Sequence, residues 1–592
     1  MFVPTDGQRS LLECEFLLPP AKVNRLKKSW AEPFRERILP LIDEEVFRDA
    51  YDQANGRPNT SIRLLVGLHL LKDWNDLTDE QMLEHLEFNL QWHYALGVES
   101  GSAHVCEKTL HNFRHKLMGN DRAQALFERV TRALAEADGV GLGRQRLDST
   151  HVISNIAVLT RLGLFVETVT HFLKVVRQEA PDVFSTLNAG YAHRYLDREG
   201  YFSDAKREQA RRRLPVVAQD AYDLVRVCEN EAPVSGLPAF GLLKRLVDEQ
   251  CEVVEPGGND HGDQGPGDGE GGVQTGGPKV RLREPKTVAS DSLQSPHDPD
   301  ATYGHKGKGY EVQVAETCGD GNPYQIVTAV AVNGAHESDQ KALLPMVEQL
   351  AASEMLPQTL LADTGYGSGA NIVGCAERGV DLLAPVQDPH APAPPEQFAQ
   401  AIAQEVEAPA EPQAQATGSE AGAVGPKTAE QDSPAKPLGL NAFWFDFTCH
   451  EITACPGGQV PVSQHLAGGQ LIADFPSTAC GACPLASTCP IRELACGDRQ
   501  LRRSPAVIAT EIRQEEQQGA AFKELYRKRS GVESTNEELK GRHGLGGLRV
   551  RCRPRVALAA WLKALALNVK RAAKYHAAKI RAAVAASCPC PA

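Results

Sequence analysis

Two low-complexity stretches interrupt the 592-residue chain and limit how it can fold. Residues 252–285 are rich in glycine and aspartate, which predicts a flexible loop. Residues 388–437 are rich in alanine, proline, glutamine and glutamate, which predicts a disordered linker. Segments of this composition bury too little apolar surface to offset the entropy lost on ordering. The chain must therefore form several domains from separated segments, as its length also requires.

The first part of the chain has a helical pattern. Over residues 1–140 apolar side chains recur at three- and four-residue spacing, and Thr78, followed by Glu80 and Gln81, marks a helix start. Two alternatives fit this domain: a helix–turn–helix that binds DNA, and a plain helical packing domain.

Strand patterns begin after residue 140 and alternate with helical ones, which predicts an α/β fold. Short apolar runs bounded by glycine, asparagine or small polar residues predict strands, whereas longer runs with helical periodicity predict helices. The predicted strands are 141–150, which ends with Asp148, Ser149 and Thr150, and 309–317, 324–334, 359–363 and 382–386. The predicted helical segments are 155–250 and 337–352.

Charge is distributed unevenly along the chain. The formal net charge is −13, yet the part from Arg499 to the end holds 20 Lys and Arg against 7 Asp and Glu. A local basic surface matters more to a polyanion than the total charge, so this part is a candidate for nucleic-acid contact. The alternative is a solvated helical tail. Neither a long apolar run nor a signal peptide is present, which predicts a soluble cytoplasmic protein.

Six of the fifteen cysteines lie between Cys449 and Cys496, which indicates a metal site rather than a disulfide framework. Two thiolates separated by two residues, with two more nearby, form a usual tetrahedral zinc set. The predicted ligands are Cys455, Cys480, Cys483 and Cys489, with Cys449, Cys496, His450 and His465 as alternatives. Such a site either stabilises a small insert or also contacts DNA.

Three carboxylates are candidates for a second kind of metal site. Asp148 in LDST and Asp363 in ADTGYGS each follow a strand pattern, and Glu533 lies in a helical pattern near the C-terminus. Carboxylates at strand ends face the crevice above a sheet, where two or three of them can hold Mg²⁺. Two such ions about 4 Å apart can promote phosphodiester cleavage. The alternative for either aspartate is a turn or cap residue.

The stretch YRKRSGVESTNEELK places unlike functional groups at helical spacing. On one regular helix, Tyr526, Arg529, Glu533 and Lys540 project within a sector of about 60°. An ordinary amphipathic helix with ion pairs four residues apart is the alternative.

The same spacing resembles the signature helix of DDE transposases from bacterial insertion sequences. LDST and LLADTGYGS are similar to the two aspartate strands of that family, and DPDATYGHKGKGYEVQ is similar to the segment between them. The N-terminal NGRPNTSIRLLVGLHLL resembles the family's helical domain. The cysteine cluster before the final glutamate resembles insertion-sequence family eleven-eighty-two, in the four-five-like group.

The resemblance implies an RNase H-like catalytic domain, with helical and Cys-rich insertions, whose parts are separated in sequence. The implied domains are the helical N-terminal domain (1–140), the first part of the catalytic domain (141–387), the linker (388–437), the zinc insert (438–500), and the C-terminal part with the glutamate helix and a basic tail (501–592).

The resemblance also implies an activity and a site. Asp148, Asp363 and Glu533 would be catalytic and would bind two Mg²⁺ ions, with Mn²⁺ as a substitute. The implied reaction is hydrolysis at the ends of the element, followed by strand transfer of the 3′-hydroxyl into target DNA. The expected partners are terminal inverted repeats, target DNA and a second copy of the chain, in the bacterial nucleoid. The expected DNA contacts are Tyr526, Arg529, Lys540, Lys306, Arg549 and Arg551.

Arg549, Arg551, Arg553 and Arg555 alternate along the chain, so in an extended segment they would form one phosphate-tracking strip. Three other functions remain open: an RNase H-like nuclease without strand transfer, a catalytically silent DNA-binding protein, and a zinc scaffold.

Overall fold

The computed structural model divides the chain into two units. The first comprises Met1–Tyr366 with Arg527–Ala592, and the second comprises Gly367–Tyr526. The structure describes residues 1–5, 10–99, 101, 103–197, 207–254, 279–387, 438–495 and 497–587. The predicted linker 388–437 therefore lies outside the described residues.

Five of the described strands were predicted close to where they occur, whereas the short strands within residues 251–304 and 444–503 were not predicted. The strands of the first unit are β1 (Arg144–Val152), β2 (Cys251–Val254), β3 (Lys279–Leu282), β4 (Thr302–Gly304), β5 (Gly307–Thr317), β6 (Val327–Gly334) and β7 (Thr359–Leu361). Those of the second unit are β8 (Asp381–Leu383), β9 (Trp444–Asp446), β10 (Glu451–Ala454), β11 (Ser463–Ala467), β12 (Gln470–Phe475), β13 (Arg492–Glu493) and β14 (Arg499–Arg503).

Helices make up most of the first unit. Those before β1 are α1 (Cys14–Leu17), α2 (Pro20–Lys27), α3 (Ala31–Pro33), α4 (Ile62–Trp74), α5 (Asp79–Phe88), α6 (Leu90–Leu96), α7 (Glu107–Met118) and α8 (Arg122–Asp138). Those between β1 and β2 are α9 (Arg161–Glu179), α10 (Pro181–Thr186), α11 (Ala189–Tyr195), α12 (Arg207–Cys228), α13 (Ala232–Ser235) and α14 (Pro238–Gln250). Helix α15 (Asp339–Ala352) follows β6.

The remaining helices lie towards the C-terminus. In the second unit they are α16 (Gly369–Ala376), α17 (Ser477–Gly481), α18 (Pro505–Glu516) and α19 (Ala520–Tyr526). The first unit ends with α20 (Gly531–Glu537) and α21 (Arg553–Ser587). Within the described part of the chain, no helix has both the length and the apolar character needed to cross a bilayer.

Strand β1 lies inside the main sheet of the first unit. It pairs antiparallel with β5 along most of its length and parallel with β7 at its beginning. Strand β5 also pairs antiparallel with β6 and β4. The first three long strands thus form an antiparallel meander, and a crossover through α15 brings β7 to the other side of β1. The central strand is therefore fixed on both sides.

Part of the predicted flexible loop is ordered. Strands β2 and β3 pair antiparallel from Cys251 with Leu282 to Val254 with Lys279. The prediction of a loop over 252–285 is wrong for these flanking residues, because β2 and β3 pair with each other and the alternating Val280 and Leu282 of β3 pack against the helices of the 161–250 segment. Residues 255–278 lie outside the described residues.

The N-terminal helices pack around the long C-terminal helix. Thr78 accepts a hydrogen bond from the backbone of Gln81, whose side chain accepts one from the backbone of Thr78, so the predicted helix start is confirmed as a capping box. Helix α21 contacts α4, α8 and β6, and most of its aliphatic side chains are buried. The C-terminal segment is therefore a core helix rather than a solvated tail.

Several cations of this helix are used inside the protein. The Lys563 ammonium lies 3.2 Å from Asp73, and the Lys570 ammonium lies 2.9 Å from Glu538. Both lysine side chains are less than a tenth exposed. The basic excess of the sequence is therefore not all available to a polyanion.

The second unit is built on a small antiparallel sheet in the order β11-β12-β14-β13. Phe443, Phe475 and Leu501 form its core together with Ile508 of α18. Helices α16 and α18 touch where a Cβ on Gly369 would lie 1.7 Å from the carbonyl oxygen of Ala506. Only glycine permits that approach.

Candidate active site

The pairing of β1 with β7 places two of the predicted acids side by side. Arg144 pairs with Thr359 and Arg146 with Leu361. The same offset, continued by two residues, brings Asp148 opposite Asp363. The prediction that Asp148 ends its strand is wrong, because pairing with β5 continues β1 as far as Val152. Asp363 does follow its strand, two residues after the end of β7.

All three predicted carboxylates contact one guanidinium group. Arg529 Nη2 lies 3.2 Å from Asp148 Oδ1 and 3.6 Å from Asp363 Oδ2, and Arg529 Nη1 lies 2.9 Å from Glu533 Oε1. The side chains are 13%, 34% and 61% exposed in that order, so the cluster runs from the sheet interior to solvent at Glu533. Acids that are far apart in sequence thus converge.

The segment that carries Arg529 and Glu533 is not one regular helix. Helix α19 ends at Tyr526, a 3₁₀ turn covers Arg527–Ser530, and a π-helical turn at Glu538–Arg542 follows α20. A 3₁₀ turn has three residues per turn, so the prediction of one shared face for all four side chains is wrong. The contact between Arg529 and Glu533, four residues apart, remains.

A long-range contact shapes this segment. Arg146 Nη1 donates to the carbonyl oxygen of Lys528 over 2.9 Å, and a Cβ on Gly531 would lie 1.9 Å from that nitrogen. The guanidinium of Arg146 therefore occupies the space beside Gly531. Local helical periodicity carries no sign of such a contact.

Burial and charge act in opposite directions on Asp148. Burial raises the pKa of this carboxyl group, the neighbouring Arg529 opposes the rise, and Asp363 adds to it. Asn536 Nδ2 donates to Asp148 Oδ2 over 3.2 Å, and the backbone N–H of Gly365 donates to Asp363 Oδ1 over 2.8 Å. Asn536 was not predicted, although it lies three residues after Glu533 on the same helix.

A buried glutamate connects the elements that carry the acids. Glu316 of β5 is fully buried and accepts hydrogen bonds from Arg146 Nε over 2.8 Å, Thr535 Oγ1 over 2.6 Å and Arg571 Nη1 over 2.5 Å. These donors belong to β1, α20 and α21. Glu316 therefore ties the helix of Glu533 to the strand of Asp148.

A fourth carboxylate lies behind the cluster. Asp339, the first residue of α15, accepts from Ser149 Oγ over 3.2 Å and from Gln313 Nε2 over 3.0 Å. A Cβ on Gly365 would lie 2.9 Å from Asp363 Oδ1 and 3.4 Å from Asp339 Oδ2, so both acids border the same small space. Sequence analysis missed Asp339 because an acid in the first turn of a helix is common.

The predicted DNA contacts are spread over the molecule. Lys306 pairs with Glu311 over 3.0 Å, and Arg551 Nε donates to the carbonyl oxygen of Asn155 over 2.5 Å. Arg549 lies 3.3 Å from Asp76. Lys540 is half-buried in the π-helical turn, and Tyr526 belongs to the second unit, where it stacks on Phe522 with ring centroids 5.7 Å apart.

The predicted arginine strip is wrong as a continuous extended segment. Helix α21 begins at Arg553, so Arg553 and Arg555 follow helical rather than extended geometry. Arg549 and Arg551 lie in irregular backbone before it.

The four predicted zinc ligands line one cavity of about 20 Å³ in the second unit. A Cβ on Gly457 would lie 3.2 Å from Cys483 Sγ and 3.7 Å from Cys455 Sγ. Gln459 donates its backbone N–H to Cys455 Sγ over 3.3 Å. Burial raises the pKa of the Cys480 thiol, and the thiols of Cys455, Cys489 and Cys483 add to the rise. Cys449 is exposed, and Cys496 lies outside the described residues.

Two family models match this chain. Residues 290–569 match the model described as Transposase DDE domain, and residues 24–116 match the model described as Transposase domain (DUF772). The chain belongs to the DDE-type transposases of insertion sequences. The comparisons find no matching curated protein and no matching solved structure.

The family assigns the broad activity of this protein. It is a DNA transposase, an enzyme of a family that works with divalent metal ions. The first match includes Asp363 and Glu533, whereas Asp148 precedes its first residue. The structure nevertheless brings Asp148 to the same guanidinium as the other two acids.

Proposed function

We propose that this transposase cuts DNA at the ends of its insertion sequence and joins the freed 3′-hydroxyl to target DNA. Asp148, Asp363 and Glu533 are the catalytic residues of the proposal. One observation carries it: these acids, which lie in β1, just after β7 and in α20 of the first unit, all contact Arg529. The sheet that contains β1 and β7 is the proposed RNase H-like core.

The carboxylates fit the expected pair of Mg²⁺ ions by charge and by donor type. The three carboxylates supply hard oxygen donors, which are the ligands that Mg²⁺ and Mn²⁺ prefer. The Arg529 guanidinium contacts all three carboxylates, so it marks the place where their negative charge requires a positive group. When bound, the ions supply Lewis-acid activation of a scissile phosphate and stabilisation of the leaving oxygen.

The residues of the chain orient two successive reactions. In the first, water attacks a phosphorus atom at the end of the element, the P–O3′ bond breaks, and a 3′-hydroxyl remains. In the second, that hydroxyl attacks a target phosphodiester, so one P–O bond forms as another breaks. Arg529 then turns from the carboxylates to phosphate oxygens, because its planar fork matches them.

Further contacts to DNA complete the proposal. Tyr526, Lys540, Lys306, Arg549 and Arg551 contact the backbone of the inverted repeats or the target. Two copies of the chain hold two ends. The exposed position of Arg549 supports backbone contact, since phosphates are reached most easily by cations at the surface.

We also propose a structural zinc ion bound by Cys455, Cys480, Cys483 and Cys489. The convergence of four thiols on one small cavity supports tetrahedral thiolate ligation. Beside it, the few buried side chains of the second unit form a small core that such an ion would reinforce. A Cys-rich insert of this kind agrees with the four-five-like group.

A strand-transfer assay tests the proposed function. The full-length protein is incubated with Mg²⁺, a supercoiled plasmid and a linear fragment that holds the reading frame with its genomic flanks. We expect cleavage at the element ends and joined products, and a loss of at least 1,000-fold for Asp148→Asn, which removes a transition-state contact worth about 4 kcal/mol. Asp291→Asn, a change at an exposed aspartate of the same unit, should retain activity.

The outcomes separate the alternative functions. Cleavage without joined products would identify a nuclease, and folded protein that binds the fragment without cutting it would identify a silent DNA-binding protein. Equal activity of Asp148→Asn and wild type would overturn the assignment of the acids.

A further inference from the structure

We propose a second, separate metal site, formed by Asp298, Asp300 and Cys552, that binds a zinc-like divalent transition-metal ion. A carboxylate oxygen of each aspartate and Cys552 Sγ lie within 4.8 Å of one another. All three residues belong to the first unit. They are neither the triad acids nor the cysteine cluster.

A buried oxygen without a partner points to a ligand at this place. Asp298 is fully buried, and its Oδ1 accepts a hydrogen bond from Tyr310 over 2.6 Å. Its Oδ2 is buried and has no hydrogen-bond partner among the described residues. A carboxylate oxygen left unsatisfied in the interior destabilises the fold, because it has lost its hydrogen bonds to water without replacing them. A bound cation removes that destabilisation.

The other two ligands have local roles that leave room for a metal. Asp300 Oδ2 accepts the backbone N–H of Arg553 over 2.9 Å, so it holds the first turn of α21. A second lone-pair direction on each carboxylate oxygen remains for coordination. Cys552 precedes the same helix, and its carbonyl oxygen accepts the N–H groups of Arg555 and Val556. The thiol is partly exposed, so an ion can reach it.

The ligand set selects the kind of ion. One thiolate with two carboxylates suits zinc, whose bonds are about 2.3 Å to sulfur and 2.0–2.2 Å to oxygen, and does not suit Mg²⁺. Tetrahedral zinc sets its ligand atoms about 3.4–3.6 Å apart by those bond lengths. A cluster within 4.8 Å reaches that spacing by small side-chain rotations. Arg551 and Arg555, close to Cys552, balance the remaining negative charge.

The metal ion would connect two segments that are far apart in the sequence. Asp298 and Asp300 lie in the turn before β4, and Cys552 lies at the start of the helix that packs against α4, α8 and β6. A metal ion here would fix that start against the main sheet. Its proposed role is therefore structural.

Zinc stoichiometry of the full-length chain tests the site. Protein stripped with a chelator is reloaded with zinc, and bound metal is measured by mass spectrometry. We expect wild type to hold one more zinc per chain than Cys552→Ser or Asp298→Asn, whatever the cysteine cluster binds. Cys318→Ser changes a buried cysteine of the same unit that is not one of the proposed ligands, and this variant should bind as much zinc as wild type.

Alkylation of the wild-type protein tests the site without any variant, so the misfolding of a variant cannot affect the result. Zinc should slow iodoacetamide labelling of Cys552 at least tenfold and leave the labelling rate of the exposed Cys106 unchanged. Mg²⁺ added in place of zinc should not slow the labelling of Cys552. Equal zinc content in wild type and Cys552→Ser, together with labelling of Cys552 that zinc does not slow, would overturn the site.

Discussion

Arg529 determines the charge balance among the three acids of the candidate site. Its guanidinium contacts Asp148, Asp363 and Glu533 at once, and the first of these is mostly buried. Without a cation, three carboxylates so placed would repel one another, which disfavours their charged forms. The arginine therefore stabilises the cluster before any metal ion binds.

Replacing this arginine should make folding depend more strongly on metal. We expect Arg529→Gln to lower the free energy of unfolding by about 1.5–3 kcal/mol without metal, because charged hydrogen bonds are lost. Mg²⁺ should then raise the melting temperature more than in wild type, since it meets no competing guanidinium. Calorimetry with and without Mg²⁺ measures both effects.

Arg527→Gln, in the same 3₁₀ turn but at an exposed position, is the matched control. It should melt like wild type. An identical Mg²⁺-induced shift in wild type and Arg529→Gln would contradict the prediction.

His69 makes the first unit sensitive to acid. It is fully buried, accepts a hydrogen bond from Arg114 Nε over 3.1 Å, and burial lowers its pKa to about 3. A histidine whose folded pKa lies below its unfolded value of about 6.5 contributes stability above pH 6.5. That contribution is lost as the pH falls from 6.5 towards 3.

The loss amounts to about 1.4 kcal/mol per pH unit, or about 2 kcal/mol between pH 6.5 and pH 5. Urea denaturation at the two pH values should show it for wild type and not for His69→Gln. A slope shared by both proteins would assign the acid sensitivity to other groups.

At the scale of elements, strand β5 approaches β1 too closely for a side chain at one position. Gly309 has φ +141°, and a Cβ there would lie 2.3 Å from the carbonyl oxygen of Val152. The obstacle is backbone, which cannot move aside without breaking the pairing of Val152 with Tyr310. Glycine is therefore required by both conformation and space.

Gly309→Ala should destabilise the first unit by about 2–4 kcal/mol, from a strained φ and overpacking together. Gly321→Ala places its Cβ in open space in the turn between β5 and β6 and should change stability by less than about 0.5 kcal/mol. Thermal unfolding of the two variants checks the difference; equal melting temperatures would show that the sheet can relax.

Elements whose pattern is local were predictable from the sequence, and those shaped by distant contacts were not. The apolar runs of β5 and β6 and the Thr78 capping box follow from neighbouring residues alone. The 3₁₀ turn before α20 does not, since Arg146 is far away in sequence. The polar residues of LDSTHV concealed the continuation of β1, because pairing with β5 rather than composition maintains it.

Across the whole molecule, the candidate site could be predicted as a set of residues but not as a geometry. Spacing and resemblance predicted the three acids that contact Arg529 and the four cysteines that line the thiol cavity, and their catalytic and zinc-binding roles stay predictions. The contacts of Asn536, Glu316 and Asp339 arise from the packing of α20, β5 and α15 around β1, which no single segment encodes. The two units also differ in what maintains them: a large aliphatic core in the first, and a small core beside the thiol cavity in the second.

Loss of the zinc proposed for the cysteine cluster should therefore loosen the second unit. Treatment with a strong chelator is expected to expose residues 438–503 to limited proteolysis, because the proposed ion stabilises that small core. Fragments of the first unit should stay more resistant, because its large aliphatic core does not depend on the ion proposed at Asp298, Asp300 and Cys552. Cys480→Ser should behave like chelated protein, whereas Cys449→Ser, at an exposed cysteine outside the cavity, should not. Protease resistance that survives chelation would argue against a structural ion.

The register between β1 and β7 makes the distance between Asp148 and Asp363 independent of the number of residues between them in the sequence. Since the pairing of β1 with β7 sets the distance between Asp148 and Asp363, the part of the intervening segment that does not pair with β1, such as the helices of 161–250, adds mainly a closure entropy. Each doubling of such a loop costs about 0.6 kcal/mol. Whole helices can thus be gained or shed between the two aspartates over evolutionary time, and the reacting geometry would tolerate it.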